Sequence, residues 1–116
     1  MGAGIFYRVL EVDLSSGESK VIEYGEEILR KYFGGSGLAA SILLDRFDSS
    51  IDPFHPQSPL IFMTGLLTGI PVPCGCRISI CTKSPLRIWG EANAGGYWGP
   101  ELKFTGFDGL IITGKA

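Results

Sequence analysis

Short apolar runs with a period of two recur along this chain, each cut off by glycine, proline or serine, and they restrict it to a sheet of brief strands. FYRVLEVDL (6–14) alternates and stops at Ser15-Ser16-Gly17. ESKVIEY (18–24) then returns, which predicts an antiparallel hairpin over residues 5–24. Further on, LIFMTG (60–65), RISICTKS (77–84), LRIWGEANA (86–94) and DGLIITGKA (108–116) read as four more strands. RISICTKS alternates most cleanly. Ile78 and Ile80 point one way, while Arg77, Ser79, Cys81 and Lys83 point the other, so the second face meets either water or an anion.

Helical spacing interrupts the strands three times. EEILRKYF places Ile28, Leu29 and Phe33 on one side and ends on Gly34-Gly35 as a C-cap. Ser36 is positioned to cap GLAASILLDRF, whose apolar face is Leu38, Ile42, Leu43 and Phe47. GYWGPELKFTG admits Pro100 only in a first turn and carries Gly106 as a stop. DSSIDPFHPQSP, rich in proline, is an extended loop, and its His55 is assigned no chemistry. The element order predicts an α+β fold: a mainly antiparallel six-stranded sheet with three helices. The last strand is expected at an unprotected sheet edge, as in a fragment of a longer protein.

The net charge of −2 argues against nucleic acid, which needs a basic stripe. MGAGIFYRVLEVDL has no basic start ahead of an apolar run, and LIFMTGLLTGIPVP is too short and interrupted to span a bilayer. The expectation is a cytoplasmic chain with no membrane partner. Cys74, Cys76 and Cys81 are odd in number and fit no zinc or thioredoxin spacing. They read as small hydrophobes that form no disulfide and hold no cluster.

EANAGGYWGPELKFTGFDG (91–109) concentrates glycine, aromatics and a polar side chain ahead of a helix. Glycines at a helix start leave backbone N–H groups bare, which suits an anion such as phosphate. On this stretch alone, a tight strand-to-helix turn whose glycines only relieve backbone strain is the favoured reading. Arg77 offers a fixed fork of donors for phosphate oxygens, and Asn93 a carbonyl for a hard cation. If there is a site, Arg77 and Asn93 share one anion position at a loop mouth beside the helix that begins near Gly96.

LIFMTGLLTG, PCGCRISICTKSPL and GEANAGGYWGPELKFTGFDGLIITGKA, taken in order, resemble the N-terminal region of the aldehyde ferredoxin oxidoreductase family of tungsten-pterin enzymes. RVLEVDLSSGESKVIEY and FGGSGLAASILLDR fit the same region, so the resemblance runs from about Tyr7 to Ala116. It implies that residues 1–116 are one half of a base of two related six-stranded β halves, on which a tungsten bis-pyranopterin lies. It also implies that Arg77 approaches a cofactor phosphate, that Asn93 and Gly95 meet the phosphate and magnesium region, and that Ala94 and Gly96 belong to the same cofactor-binding turn. Cys74, Cys76 and Ser36 depart from residues common in the family. No catalytic residue is expected here; the [4Fe–4S] ligands and ferredoxin belong to the whole enzyme, and the remainder of that enzyme is the expected partner. The isolated chain is expected to be inactive and to self-associate. Trp98 and Pro100 resemble the tungsten subunit of class II benzoyl-CoA reductases, so an aldehyde and an aromatic thioester both stand as substrates. A stand-alone pterin carrier and a ligand-free structural domain are the other readings.

Overall fold

The computed structural model describes residues 5–46 and 50–116. Phe47 and the start of the proline loop, Asp48 and Ser49, lie outside the described residues. The elements follow the expected order: β1 (Arg8–Asp13), β2 (Ser19–Glu23), α1 (Glu26–Tyr32), α2 (Gly35–Arg46), β3 (Leu60–Thr64), β4 (Ile78–Lys83), β5 (Trp89–Ala94), α3 (Trp98–Phe104) and β6 (Gly109–Thr113). The α+β class holds, with one six-stranded sheet.

The sheet order is β2-β1-β6-β3-β4-β5. The last strand therefore lies in the middle of the sheet, not at its edge as the sequence suggested. It runs parallel to β1 and antiparallel to β3, which makes the otherwise antiparallel sheet mixed. Its residues explain the place: GLIIT is apolar on both faces and suits an interior position, where both edges are paired. The outer positions go to SKVIE and WGEANA, which carry polar side chains.

Register sorts the side chains into rows. Gly109, Met63, Ser79 and Asn93 pair in sequence across β6, β3, β4 and β5, and Ile111, Ile61, Cys81 and Glu91 form the next row on the same face. α2 packs on this face through Leu38 and Ala39, closing a core with Val9, Ile61, Met63, Cys81 and Ile111. Each large aliphatic side chain fully buried there contributes about 1.5–3 kcal/mol. A Cβ on Gly109 would lie 2.7 Å from Met63 Sδ, so only glycine leaves room for that methionine. The opposite face carries the row Leu10, Leu110, Phe62 and Ile80, all only half-buried. α3 covers one end of it, with Trp98 against Phe62 at 5.2 Å between ring centres.

One buried carboxylate ties the termini together. Asp108 accepts from the backbone N–H groups of Phe6 (3.1 Å) and Arg8 (3.3 Å), from the Tyr24 hydroxyl (2.7 Å) and from the buried Lys103 ammonium (3.0 Å). A charge this deep persists because every lone pair is used. The network fixes α3 to the hairpin.

Candidate functional site

The corner between α1 and α2 is built from left-handed backbone. Phe33, Gly34 and Gly35 have φ of 61°, 78° and 55°, which turns the chain sharply and delivers the start of α2 onto the sheet. Gly34 forms a β-bridge with Gly65 at the end of β3. α2 begins at Gly35, so Ser36 lies inside the first turn and is not the preceding cap that the sequence suggested. The left-handed glycines make this corner without a side-chain cap. A Cβ on Gly35 would stand 3.7 Å from Ser79 Oγ, so the helix start abuts the Ser79–Asn93 row. The first turn of α2 contains no acidic residue, and its N–H groups lack an earlier turn to bond to.

Ser79 Oγ donates to Asn93 Oδ1 at 3.0 Å across the β4–β5 ladder. That bond leaves the Asn93 NH2 and one oxygen lone pair for a ligand. Arg77 lies one residue before β4 and two before Ser79, just outside the paired register of β4 and β5. It is exposed, and its guanidinium makes no hydrogen bond or ion pair among the described residues. Gly95 and Gly96 are exposed, and a Cβ on Gly96 would meet nothing within 4 Å. Ala94 pairs with Ile78, so its methyl belongs to the other face and only its backbone borders the site.

Two expectations change. The helix beside the Ser79–Asn93 pair is α2, not the one after Gly96. α3 starts at Trp98 and crosses the other face, where a Cβ on Gly99 would meet Ile78 Cγ2 at 2.7 Å. The β4 face carrying Ser79, Cys81 and Lys83 is not open along its length. α2 covers Cys81 completely, and burial, aided by Glu91, pushes its thiol up to about 11. Lys83 Nζ donates to the Ile51 carbonyl at 2.7 Å, tying down the loop before β3. The sequence reading did not single out Ser79 or the Gly34-Gly35 corner as neighbours of Asn93; the alternation along RISICTKS was the available signal.

The cysteines occupy three environments: Cys74 is exposed with φ 62°, Cys76 is half-buried near Gly95, and Cys81 is wholly buried. Among the described residues no group of three His, Cys, Asp or Glu side chains is placed to hold a metal. His55 Nδ1 accepts from the Gln57 N–H at 3.0 Å, a contact within its own loop. No helix among the described residues is long and apolar enough to cross a membrane.

Comparison with known proteins gives a consistent picture. The family model described as aldehyde ferredoxin oxidoreductase, N-terminal domain, matches residues 9–116. The chain is 46% identical over 114 residues to tungsten-containing aldehyde ferredoxin oxidoreductase of Pyrococcus furiosus, covering 97% of this chain and 19% of that protein. The corresponding protein of Thermococcus kodakarensis gives the same figures. A P. furiosus aliphatic sulfonate oxidoreductase subunit described as WOR-like is 37% identical over 94% of the chain and 18% of that protein. Among solved structures, the active-site complex of benzoyl coenzyme A reductase with 1,5-dienoyl-CoA superposes with a TM-score of 0.92 at 38% identity, covering 96% of this chain and 17% of that one. The chain thus spans about a fifth of the length of these relatives.

Proposed function

We propose that this chain, which belongs to the aldehyde ferredoxin oxidoreductase family, is the part of a tungsten oxidoreductase that seats the phosphate end of a bis-pyranopterin cofactor. The residues present suit that group. A pterin phosphate is a hard, multiply charged anion, and the site offers a guanidinium fork, an amide NH2 and a helix start without acidic residues. The exposed glycines at 95 and 96 let backbone approach closely. Magnesium would find one lone pair of Asn93 Oδ1 left over by the Ser79 hydrogen bond.

When bound, the tungsten cofactor supplies the two-electron oxidation of an aldehyde to a carboxylic acid. This chain's contribution is placement. Arg77 would neutralise and orient the phosphate, Asn93 would donate its NH2 to it, and Ser79 fixes the Asn93 amide oxygen. The [4Fe–4S] cluster, ferredoxin and the cytoplasmic setting belong to the proposal for the whole enzyme, of which residues 1–116 form one half of the β base.

The observation that carries the reading is the exposed Arg77 guanidinium, without a protein partner among the described residues, two positions before the Ser79 whose hydroxyl holds Asn93. The test is Arg77→Met in the full-length enzyme, with tungsten and pterin measured per polypeptide. Loss of both is expected, with partial retention in Arg77→Lys, which keeps the charge without the fork. Full retention in Arg77→Met overturns the reading. Aldehyde is favoured over an aromatic thioester by the 46% identity to aldehyde enzymes against 38% to the benzoyl-CoA reductase structure. Assaying the full-length enzyme with both substrates decides between them.

A further inference from the structure

We infer that Thr68 is a positioning residue for Arg77, closing the loop between β3 and β4 with a single hydroxyl. This rests on the phosphate-seating role of Arg77. The loop leaves β3 at Gly65, wanders through LLTGIPVPCGC, and returns to the sheet at Arg77, immediately before β4. Loops this rich in glycine and proline do not fix their own ends. Thr68 does so across nine positions of sequence.

The Gly65 N–H donates to Thr68 Oγ1 at 3.0 Å, and Thr68 Oγ1 donates to the Arg77 carbonyl at 3.1 Å. The direction is forced, because an amide N–H can only donate and a carbonyl can only accept. The one hydroxyl proton is thereby committed to Arg77. Thr68 N–H also donates to the Gly65 carbonyl at 3.3 Å, so the clamp grips Gly65 from both sides. Gly65 in turn bridges Gly34, the residue immediately before α2. A continuous path therefore links the helix start to the Arg77 backbone through one side chain that is only 3% exposed. The Thr68 methyl adds a second contact: a Cβ on Gly99 would meet it at 3.1 Å, so α3 backs the clamp. Nothing in this arrangement touches the cofactor directly. It sets the distance between the two elements that would hold the phosphate.

The test uses the full-length enzyme in four variants. Thr68→Ala and Thr68→Ser both lack the methyl and differ only by the oxygen; Thr68→Val keeps the shape without the hydroxyl. Two quantities are read: the rate of tungsten and pterin loss on dialysis, and hydrogen exchange of the peptide containing Gly65. Thr68→Val and Thr68→Ala are expected to lose cofactor about tenfold faster, the scale at which supporting contacts around a bound group act. Exchange at Gly65 should quicken in both, and Thr68→Ser should behave as wild type in both measures. Should Thr68→Val fail to fold, the Ala–Ser pair decides alone. Equal cofactor loss in Thr68→Ala and Thr68→Ser overturns the inference. Arg77→Met is the fourth variant. If it sheds cofactor while Thr68→Val and Thr68→Ala do not, only the Thr68 role falls; if it retains cofactor, the site reading falls and takes this inference with it.

Discussion

Ser79 and Asn93 face each other across the β4–β5 ladder, and the hydroxyl of one holds the amide oxygen of the other at 3.0 Å. The bond decides which end of Asn93 is presented to a ligand. With Oδ1 engaged by Ser79, the NH2 is the group turned outward, and it suits phosphate.

Ser79→Ala should therefore weaken cofactor retention without unfolding the protein. A lost, solvent-exposed hydrogen bond costs about 1 kcal/mol, or roughly a fivefold faster loss of tungsten and pterin from the full-length enzyme. The thermal midpoint should stay within a degree or two. Unchanged retention would show that the orientation of Asn93 is irrelevant.

Tyr24 supplies a pH-dependent prediction. Its phenol is pushed far up from the ordinary value of 10, first by burial and then by its hydrogen bond to the Asp108 carboxylate. A raised folded pKa favours the protonated form, so this stabilisation is fully present below about pH 10 and is lost as pH rises further. Tyr24→Phe should cost about 1.5–3 kcal/mol at neutral pH, the range for a hydrogen bond to a charged group. Urea unfolding at several pH values should show the gap between the two proteins narrowing above pH 10. A gap that widens there contradicts the sign.

Thiol labelling should follow exposure in the order Cys74, Cys76, Cys81. Cys81 is wholly buried and its thiol is pushed up to about 11, so little thiolate is available at pH 8. Iodoacetamide followed by mass spectrometry should modify Cys81 only after denaturant is added. Native labelling of Cys81 at the rate of Cys74 would refute the packing of α2 on β4.

Gly37 tests the α1–α2 corner. Alanine is normally the better helix former by about 1 kcal/mol. Here a Cβ would lie 2.5 Å from the Tyr32 carbonyl oxygen, a backbone atom that cannot yield cheaply. Gly37→Ala should lower stability by about 1–3 kcal/mol, read as a fall in the thermal midpoint.

The 116-residue chain on its own should self-associate and turn over no aldehyde. The reason is not a terminal edge strand, since β6 is paired on both sides. It is the half-covered row Leu10, Leu110, Phe62 and Ile80, together with exposed Tyr97 and Phe104. Apolar patches beyond a few hundred Å² on a small domain drive association. Light scattering showing a strict monomer, or viologen reduction with an aldehyde, would each defeat half of this claim.

Local pattern alone made the elements legible. Period-two runs gave each of the six strands, and helical spacing with glycine stops gave the three helices, because propensity and turn chemistry act over a few residues. Alternation also placed Arg77 and Ser79 on one face, and Asn93 and Gly95 could be marked as unusual. Neighbours across the sheet could not be read this way. GLIIT carries no label saying that it inserts between β1 and β3, since that choice depends on burying both its faces at once, a property of the assembled sheet. For the same reason the helix beside Asn93 was misassigned. α3 follows Asn93 closely in sequence but crosses to the far face, whereas the start of α2, more than fifty positions away, is brought to it by the Gly34–Gly65 bridge. Sequence proximity governs how a chain turns; long-range pairing and packing govern what each turn ends up beside.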